Sequence, residues 1–280
     1  MADDVETTSF RSGELDLYAR LRHCADQVPA VVLLSGLGFH TFEYEPFAIQ
    51  LAAAGFNTLS FDYRGHGRSP GPRGRWTLGE LTADCQHAIG FARQRYRGPI
   101  VLFGNSLGAM VAILAGARDA RPSTVIAANC PAHTGDFLLT RPRRALFAVM
   151  KLTGPVAPLR LSVDHFIAYR QLIDDPSWVA TMQRDPLIAD ARRLSAGTLR
   201  ELLETWNGPR AVRQLRKPLL VIQGRNDHLQ PPQQSELVFA AANDPKQFQL
   251  INTGHLPHLE APAMLTELLA NWLPTIKQSA

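Results

Sequence analysis

Ile100-Val101-Leu102-Phe103-Gly104-Asn105-Ser106-Leu107-Gly108 is the stretch from which the rest of the chain is read. Four apolar residues run into a G-x-S-x-G, and no charge follows until Arg118. The uncharged run from Ile100 to Ala117 imitates a membrane span. A span needs about 20 predominantly apolar residues, and this run carries Gly104, Asn105, Ser106 and Gly108 near its middle. A buried strand, a sharp turn and a helix account for it better. Where a strand turns abruptly into a helix, the central residue is held in strained backbone geometry, so the positions two before and two after must be small. The turn lifts the Ser106 hydroxyl clear of the sheet, beside the first amides of the next helix.

Working outward, the same alternation recurs. Residues 7–10 and 15–19 flank the turn Arg11-Ser12-Gly13-Glu14 and predict an opening hairpin. Residues 31–34 are fully apolar and end at Ser35-Gly36, as a buried parallel strand does. Phe47, Leu51 and Ala54 fall at helical spacing before Gly55, and residues 56–62 predict the next strand. Thr77 and Glu80 form a capping box, followed by the stripe Leu81, Cys85, Ala88, Ile89 and Ala92. A strand at 100–103, a helix from Leu107 and a strand at 125–129 complete the first run. This β-α-β-α rhythm predicts a mostly parallel sheet with helices on both faces.

The rhythm stops at Pro131 and resumes at 219–222. It continues with a helix near 233–242, a strand at 248–251 and a last helix with the stripe Met264, Leu265, Leu268, Leu269 and Trp272. Between them the text is helical and irregular, with no convincing strand. The expected organisation is a core in two parts, residues 1–130 and 217–280, with a helical lid, residues 131–216, inserted after the sixth strand.

Composition bounds the partners. The chain has 280 residues, 45% hydrophobic and 19% charged, enough for a sizeable core. A net charge of +4 is too small to announce a nucleic-acid protein. Cys24, Cys85 and Cys130 are scattered and make neither a disulfide framework nor metal spacing; buried thiols in a reducing, cytoplasmic compartment are expected. The acidic start Met-Ala-Asp-Asp-Val-Glu lacks the basic-then-apolar order of a leader. No HExxH, CxxC or clustered His/Asp pattern supports a metal. The glycines of 65–74 lack both the GK[ST] of a P-loop and the frame of a dinucleotide fingerprint, so no cofactor is expected.

A serine hydroxyl is a poor nucleophile at neutral pH and needs a base, itself oriented by an acid. Asp227, in Gly224-Arg225-Asn226-Asp227, follows the strand at 219–222; His255, in Asn252-Thr253-Gly254-His255, follows the strand at 248–251. Ser106, Asp227 and His255 thus sit at strand C-terminal ends, where open α/β sheets place their sites. His258, three residues on, is the alternative base. His40 and His66 read as structural, hydrogen-bonding histidines, and Asp62 as loop scaffolding rather than an acid.

The chain resembles the α/β-hydrolase superfamily over nearly its whole length, and most of all the monoacylglycerol lipase and lysophospholipase group, classed with serine aminopeptidase-like hydrolases. The matching residues are Gly36-x-Gly38, Asp62-x-Arg64-Gly65-His66-Gly67-x-Ser69, the elbow at Ser106, Asp185-Pro186-Leu187, Gly224-x-x-Asp227 and Gly254-His255-x-x-His258-Leu259-Glu260. The resemblance implies the chain order Ser, Asp, His, with His255 as base, and an oxyanion hole from the backbone amides of Leu37 and Leu107. The family usually has His-Gly where this chain has Ser35-Gly36, so the side-chain support of that loop must differ.

By the same resemblance, the expected reaction is hydrolysis of a carboxylic ester, with a monoacyl lipid or another medium to long acyl ester as the small-molecule substrate. The same triad serves thioesterases, acyltransferases and carbon–carbon bond hydrolases. An aminopeptidase would use lid carboxylates, with Asp174, Asp175, Glu201 and Glu204 available, and the fold also serves as a ligand receptor. Residues 131–216 hold thirteen Lys and Arg against eight Asp and Glu. Their N-terminal part sets Arg141, Arg143, Arg144 and Lys151 among Leu138, Leu146, Phe147 and Met150. Such a segment packs as an amphipathic lid helix, or rests transiently on an anionic membrane surface.

Overall fold

The computed structural model describes residues 5–139 and 160–277. The basic stretch around Arg141, Arg143, Arg144, Phe147 and Lys151 lies outside them. Eight strands form one sheet in the order β1-β2-β4-β3-β5-β6-β9-β10. β1 (Val5–Ser12) and β2 (Leu15–Arg22) are the expected hairpin, tightened to a two-residue turn with Ser12 opposite Leu15. β2 pairs antiparallel with β4 (Asn57–Phe61). From β4 onward, β3 (Ala30–Leu34), β5 (Ile100–Asn105), β6 (Pro122–Ala128), β9 (Leu219–Gly224) and β10 (Lys246–Ile251) are all parallel. This is the α/β-hydrolase fold.

Both faces of the central strands are covered, so their residues are apolar without a break. Val32, Leu34, Leu102, Val125, Ala127, Leu219 and Val221 share one core with the buried faces of α2 (Leu78–Arg95) and α3 (Leu107–Arg118). Val31, Leu33, Val101, Phe103, Ile126, Leu220 and Ile222 face the other way, toward α1 (Glu45–Ala53) and the last helix. The α2 capping box is made in both directions between Thr77 and Glu80, and its predicted stripe is buried throughout.

After α4 (Thr134–Leu138), the segment between β6 and β9 is described from Arg160. It holds α5 (Pro176–Arg184), α6 (Pro186–Ala191), α7 (Ala196–Arg200), the π turn Glu201–Thr205 and α8 (Gly208–Val212). It also holds a two-stranded antiparallel ribbon, β7 (Arg160–Ser162) with β8 (Arg193–Ser195), where the sequence predicts no strand. Three residues are too few to establish alternation, and this pairing joins segments more than thirty positions apart. α9 (Gln233–Ala241), α10 (Pro257–Glu260) and α11 (Pro262–Lys277) complete the chain. No described helix is long and apolar enough to cross a membrane.

Two expectations are corrected. Cys24 is exposed, while Cys85 and Cys130 are buried thiols. In α11, Leu265, Leu269 and Trp272 face the core with Leu268 beside them, but Met264 is exposed. Leu265, Leu268, Leu269 and Trp272 follow the i, i+3, i+4, i+7 rule, whereas Met264 falls outside that stripe, about 40° beyond Leu268 on its solvent side. Leu265→Ala is therefore expected to cost about 2–5 kcal/mol in urea unfolding. Met264→Ala is expected to stay within about 0.5 kcal/mol. Equal costs would place Met264 in the core after all.

Candidate active site

Ser106 is the N-cap of α3 and holds φ 56° and ψ −114°. The two glycines around it are there for lack of space. A Cβ on Gly104 would lie 2.1 Å from the carbonyl oxygen of Gly108, and one on Gly108 would lie 2.0 Å from that of Leu34. The turn is tied to the neighbouring strand by the Ser106 N–H, which donates to Ala128 O at 2.9 Å. Leu107 opens α3, so its N–H has no intrahelical acceptor. Leu37 follows Gly36 in the loop after β3 and lines the same space as Ser106.

Asp227 lies just past β9. Its Oδ1 accepts the N–H groups of Leu229 (2.9 Å) and Gln230 (2.8 Å), which leaves Oδ2 for His255 Nδ1 at 2.7 Å. The carboxylate is fully buried and the imidazole nearly so. An acceptor at Nδ1 sets the tautomer: the proton sits on Nδ1, and Nε2 carries the lone pair. The loop of His255 is pinned on either side by Glu260, whose carboxylate accepts Gly254 N–H (2.7 Å) and Leu256 N–H (3.2 Å). Burial raises the Glu260 carboxyl above its ordinary value, against the lowering pull of those two amides. Ser106 and His255 line one small cavity, and no hydrogen bond joins them among the described contacts. Such bonds are often long before substrate binds.

The other histidines are engaged elsewhere. His258 stacks on Tyr44 with ring centroids 4.1 Å apart, and neither of its ring nitrogens has a partner. Burial, and then the charge of His255, push it down to about 3. His66 is fully buried, turns Nδ1 to Arg64 O, and is pushed down by burial to about 4. Asp62 accepts Thr41 N–H and Arg68 N–H, both at 2.7 Å, and so holds two loops together.

Three residues that sequence reading did not bring together meet here. His40 Nε2 lies 3.1 Å from Asp185 Oδ2, and Glu43 accepts the His40 N–H at 2.9 Å. Their potential ligand atoms lie within 4.8 Å of one another. No local spacing could have announced this, since 145 positions separate His40 from Asp185. Asp185 also caps α6 through Leu187 N–H and Ile188 N–H, so the cluster's oxygens already serve the protein's own donors.

Arg192 is the second residue missed. Its side chain is 1% exposed; Nε meets Asp164 at 2.7 Å and Nη2 donates to Ile167 O at 2.9 Å. Its stem lies under Gly38, where a Cβ would be 2.3 Å from Arg192 Cγ. Arg192 thus packs against the loop after β3 from the segment between β6 and β9.

Two cavities flank Ser106. One, of about 60 Å³, is walled by Leu107, Met110, Phe137, Val163, Phe166 and Leu199 among others, and none of the described residues that line it is charged. The other, of about 20 Å³, holds His255, Asn105 and Arg192. A larger open cleft of about 640 Å³, beside Arg11, His87 and Arg121, contains none of these groups.

The fold and this constellation define an α/β hydrolase. Over residues 25–261 the chain matches the Hydrolase_4 family, described as serine aminopeptidase, S33, and it belongs to that family. It is 32% identical over 214 residues to a monoacylglycerol lipase of Mycolicibacterium smegmatis, covering 74% of this chain and 73% of that one. It is 29% identical to a monoglyceride lipase homolog of Monkeypox virus, with 71% of each covered. The crystal structure of Paleococcus ferrophilus monoacylglycerol lipase superposes with a TM-score of 0.75 at 25% identity, over 92% of this chain and 98% of that one. The chain is a monoacylglycerol lipase-like hydrolase.

Glu43 generates a stability prediction. Burial raises its carboxyl to about 7, against the opposing pull of His40. Between the ordinary value of 4.5 and about 7, the folded state holds a proton that the unfolded state has lost. Stability therefore falls as pH rises through that window. Glu43→Gln keeps an acceptor for the His40 N–H and has no proton to lose. It is expected to match the native chain at pH 4 and to exceed it at pH 8, by up to about 3 kcal/mol. Parallel stability curves across pH would show that Glu43 does not titrate in the folded state.

Proposed function

We propose that the protein hydrolyses carboxylic esters of medium to long acyl chains, monoacyl lipids among them, through an acyl-enzyme on Ser106. The observation that carries this reading is the asymmetry of the two cavities beside Ser106: one uncharged among the described residues, the other holding His255. The histidine must hand its proton to the leaving alcohol, so the alcohol belongs on the His255 side and the acyl chain in the apolar cavity.

Ser106 Oγ attacks the ester carbon while His255 Nε2 takes its proton. Asp227 holds the ring in its tautomer and stabilises the imidazolium. The N–H groups of Leu37 and Leu107 receive the oxyanion, an arrangement in which each donor is commonly worth about 10²–10³ in kcat. Collapse expels the alcohol with the proton from His255. Water, activated by the same nitrogen, then releases the acid and restores Ser106. Residues 131–216 act as the lid, supplying Val163, Phe166, Leu194, Leu199 and Leu202 to the acyl wall.

An ester is favoured over a peptide with a free amine, because no carboxylate lines either cavity among the described residues. Of the acids a peptidase would recruit, Glu201 accepts Leu78 N–H, Asp175 caps α5, and Asp174 lies outside beside His228.

A fluorophosphonate is expected to modify Ser106 and abolish turnover. Ser106→Ala should lose roughly 10⁴–10⁶ in kcat with an unchanged melting temperature. Full activity with Ser106 unmodified would end the esterase reading. On a series of p-nitrophenyl esters, kcat/KM should rise with chain length and an aminoacyl anilide should be turned over poorly. Phe137→Asp should reduce activity on a long-chain ester far more than on an acetate, since each lost CH₂ contact costs up to about 0.8 kcal/mol. Equal losses on both would take the acyl chain out of that cavity.

A further inference from the structure

We propose that Asn129, together with Asn105, is a positioning residue for His255: the two amides clamp the main-chain carbonyl of the histidine and so hold its ring toward Ser106. The clamp rests on the reading of Ser106 as nucleophile and His255 as base.

Asn129 directly follows β6, the strand between β5, which leads to Ser106, and β9, which leads to Asp227. Its N–H donates to Ile222 O at 2.8 Å, and its Oδ1 accepts Gly224 N–H at 2.8 Å, so it is bonded twice to β9. Its Nδ2 donates to His255 O at 2.9 Å and lies 3.3 Å from Asn105 Oδ1. Asn105 Nδ2 donates to the same His255 carbonyl at 3.0 Å. One side chain therefore connects the strand of the acid, the residue before the nucleophile and the backbone of the base. The orientation of both amides follows from their partners, because Gly224 N–H can only donate and His255 O can only accept.

Two further observations set this pair apart from ordinary buried amides. Both are 0% exposed, so each unmade bond would carry the full desolvation cost. Asn129 holds φ 44°, and the one other described non-glycine residue at positive φ is Ser106 itself. A backbone in that region persists where its surroundings over-determine it. With Nδ1 of His255 tied to Asp227 and its carbonyl tied to two asparagines, neither end of the residue can swing away from Ser106.

The test uses the full chain, with kcat expressed per active site titrated by the fluorophosphonate, so that unfolded protein does not count. Asn129→Gly removes the amide and accepts the positive φ. It should lower kcat on the order of 10²-fold, the cost of a misplaced catalytic group. KM should change less than twofold, and inactivation by the fluorophosphonate should slow in parallel with kcat. Asn105→Ala should lower kcat roughly tenfold, and the double variant less than the product of the two, as for residues acting as a unit. Asn57→Ala is the structural comparator. Asn57 is 0% exposed and bonds Cys24 N–H and Ala25 N–H at the other end of the sheet. It should lower the melting temperature and leave kcat per site unchanged. Native kcat in Asn129→Gly, or in Asn105→Ala if Asn129→Gly does not fold, would overturn the clamp while leaving the esterase reading intact. Failure of the native chain to be labelled at Ser106 would overturn both.

Discussion

The close approach of α3 to the strand that precedes it governs this structure. Gly104 and Gly108 leave about 2 Å for a Cβ that neither residue has, against Gly108 O on one side and Leu34 O on the other. A single methyl at either position would push the helix off β3 and β5. That contact fixes where α3 begins, holds Ser106 at positive φ, and sets the first helical amide beside its hydroxyl. The parallel order of the sheet then does the rest. Strands that all end at one edge deliver Leu37, Ser106, Asn129, Asp227 and His255 to the same side of the molecule.

Polar groups gathered at that edge are buried, and burial penalises every charge not matched by donors or acceptors. Asp227 has two amides on one oxygen and an imidazole on the other. Burial raises both Glu260, which holds two amides, and Glu43, which holds one amide with a histidine beside it and reaches about 7. His258 and His66, buried with few partners, are pushed toward the neutral form. Environment, rather than residue type, separates the histidine paired with a carboxylate from its neighbour three positions along.

The described part of the segment between β6 and β9 contributes packing. It supplies Val163, Phe166, Leu194, Leu199 and Leu202 to the apolar cavity beside Ser106 and carries Arg192 beneath Gly38, in the loop after β3. Arg192 is retained in the interior because Asp164, Ile167 O and the Tyr169 ring, 4.6 Å below its guanidinium, surround the charge.

Local pattern alone determined the strands and helices of the core, the capping box at Thr77, the elbow at Ser106, and Asp227 and His255 as its candidate companions. Each of these depends on periodicity or on turn chemistry within a few residues, and such constraints are written in consecutive letters. The tertiary structure decided what consecutive letters do not hold. Met264 falls just outside its stripe and is exposed, and a three-residue ribbon pairs Arg160–Ser162 with Arg193–Ser195. Arg192 against Gly38, the meeting of His40 with Asp185, and the grip of Asn105 and Asn129 on the His255 carbonyl arise between residues 126 to 154 positions apart. An isolated Asn or Arg in sequence reads as surface or turn. Only the closure of the sheet, which removes water from around it and supplies a partner from a distant strand, turns it into part of a site.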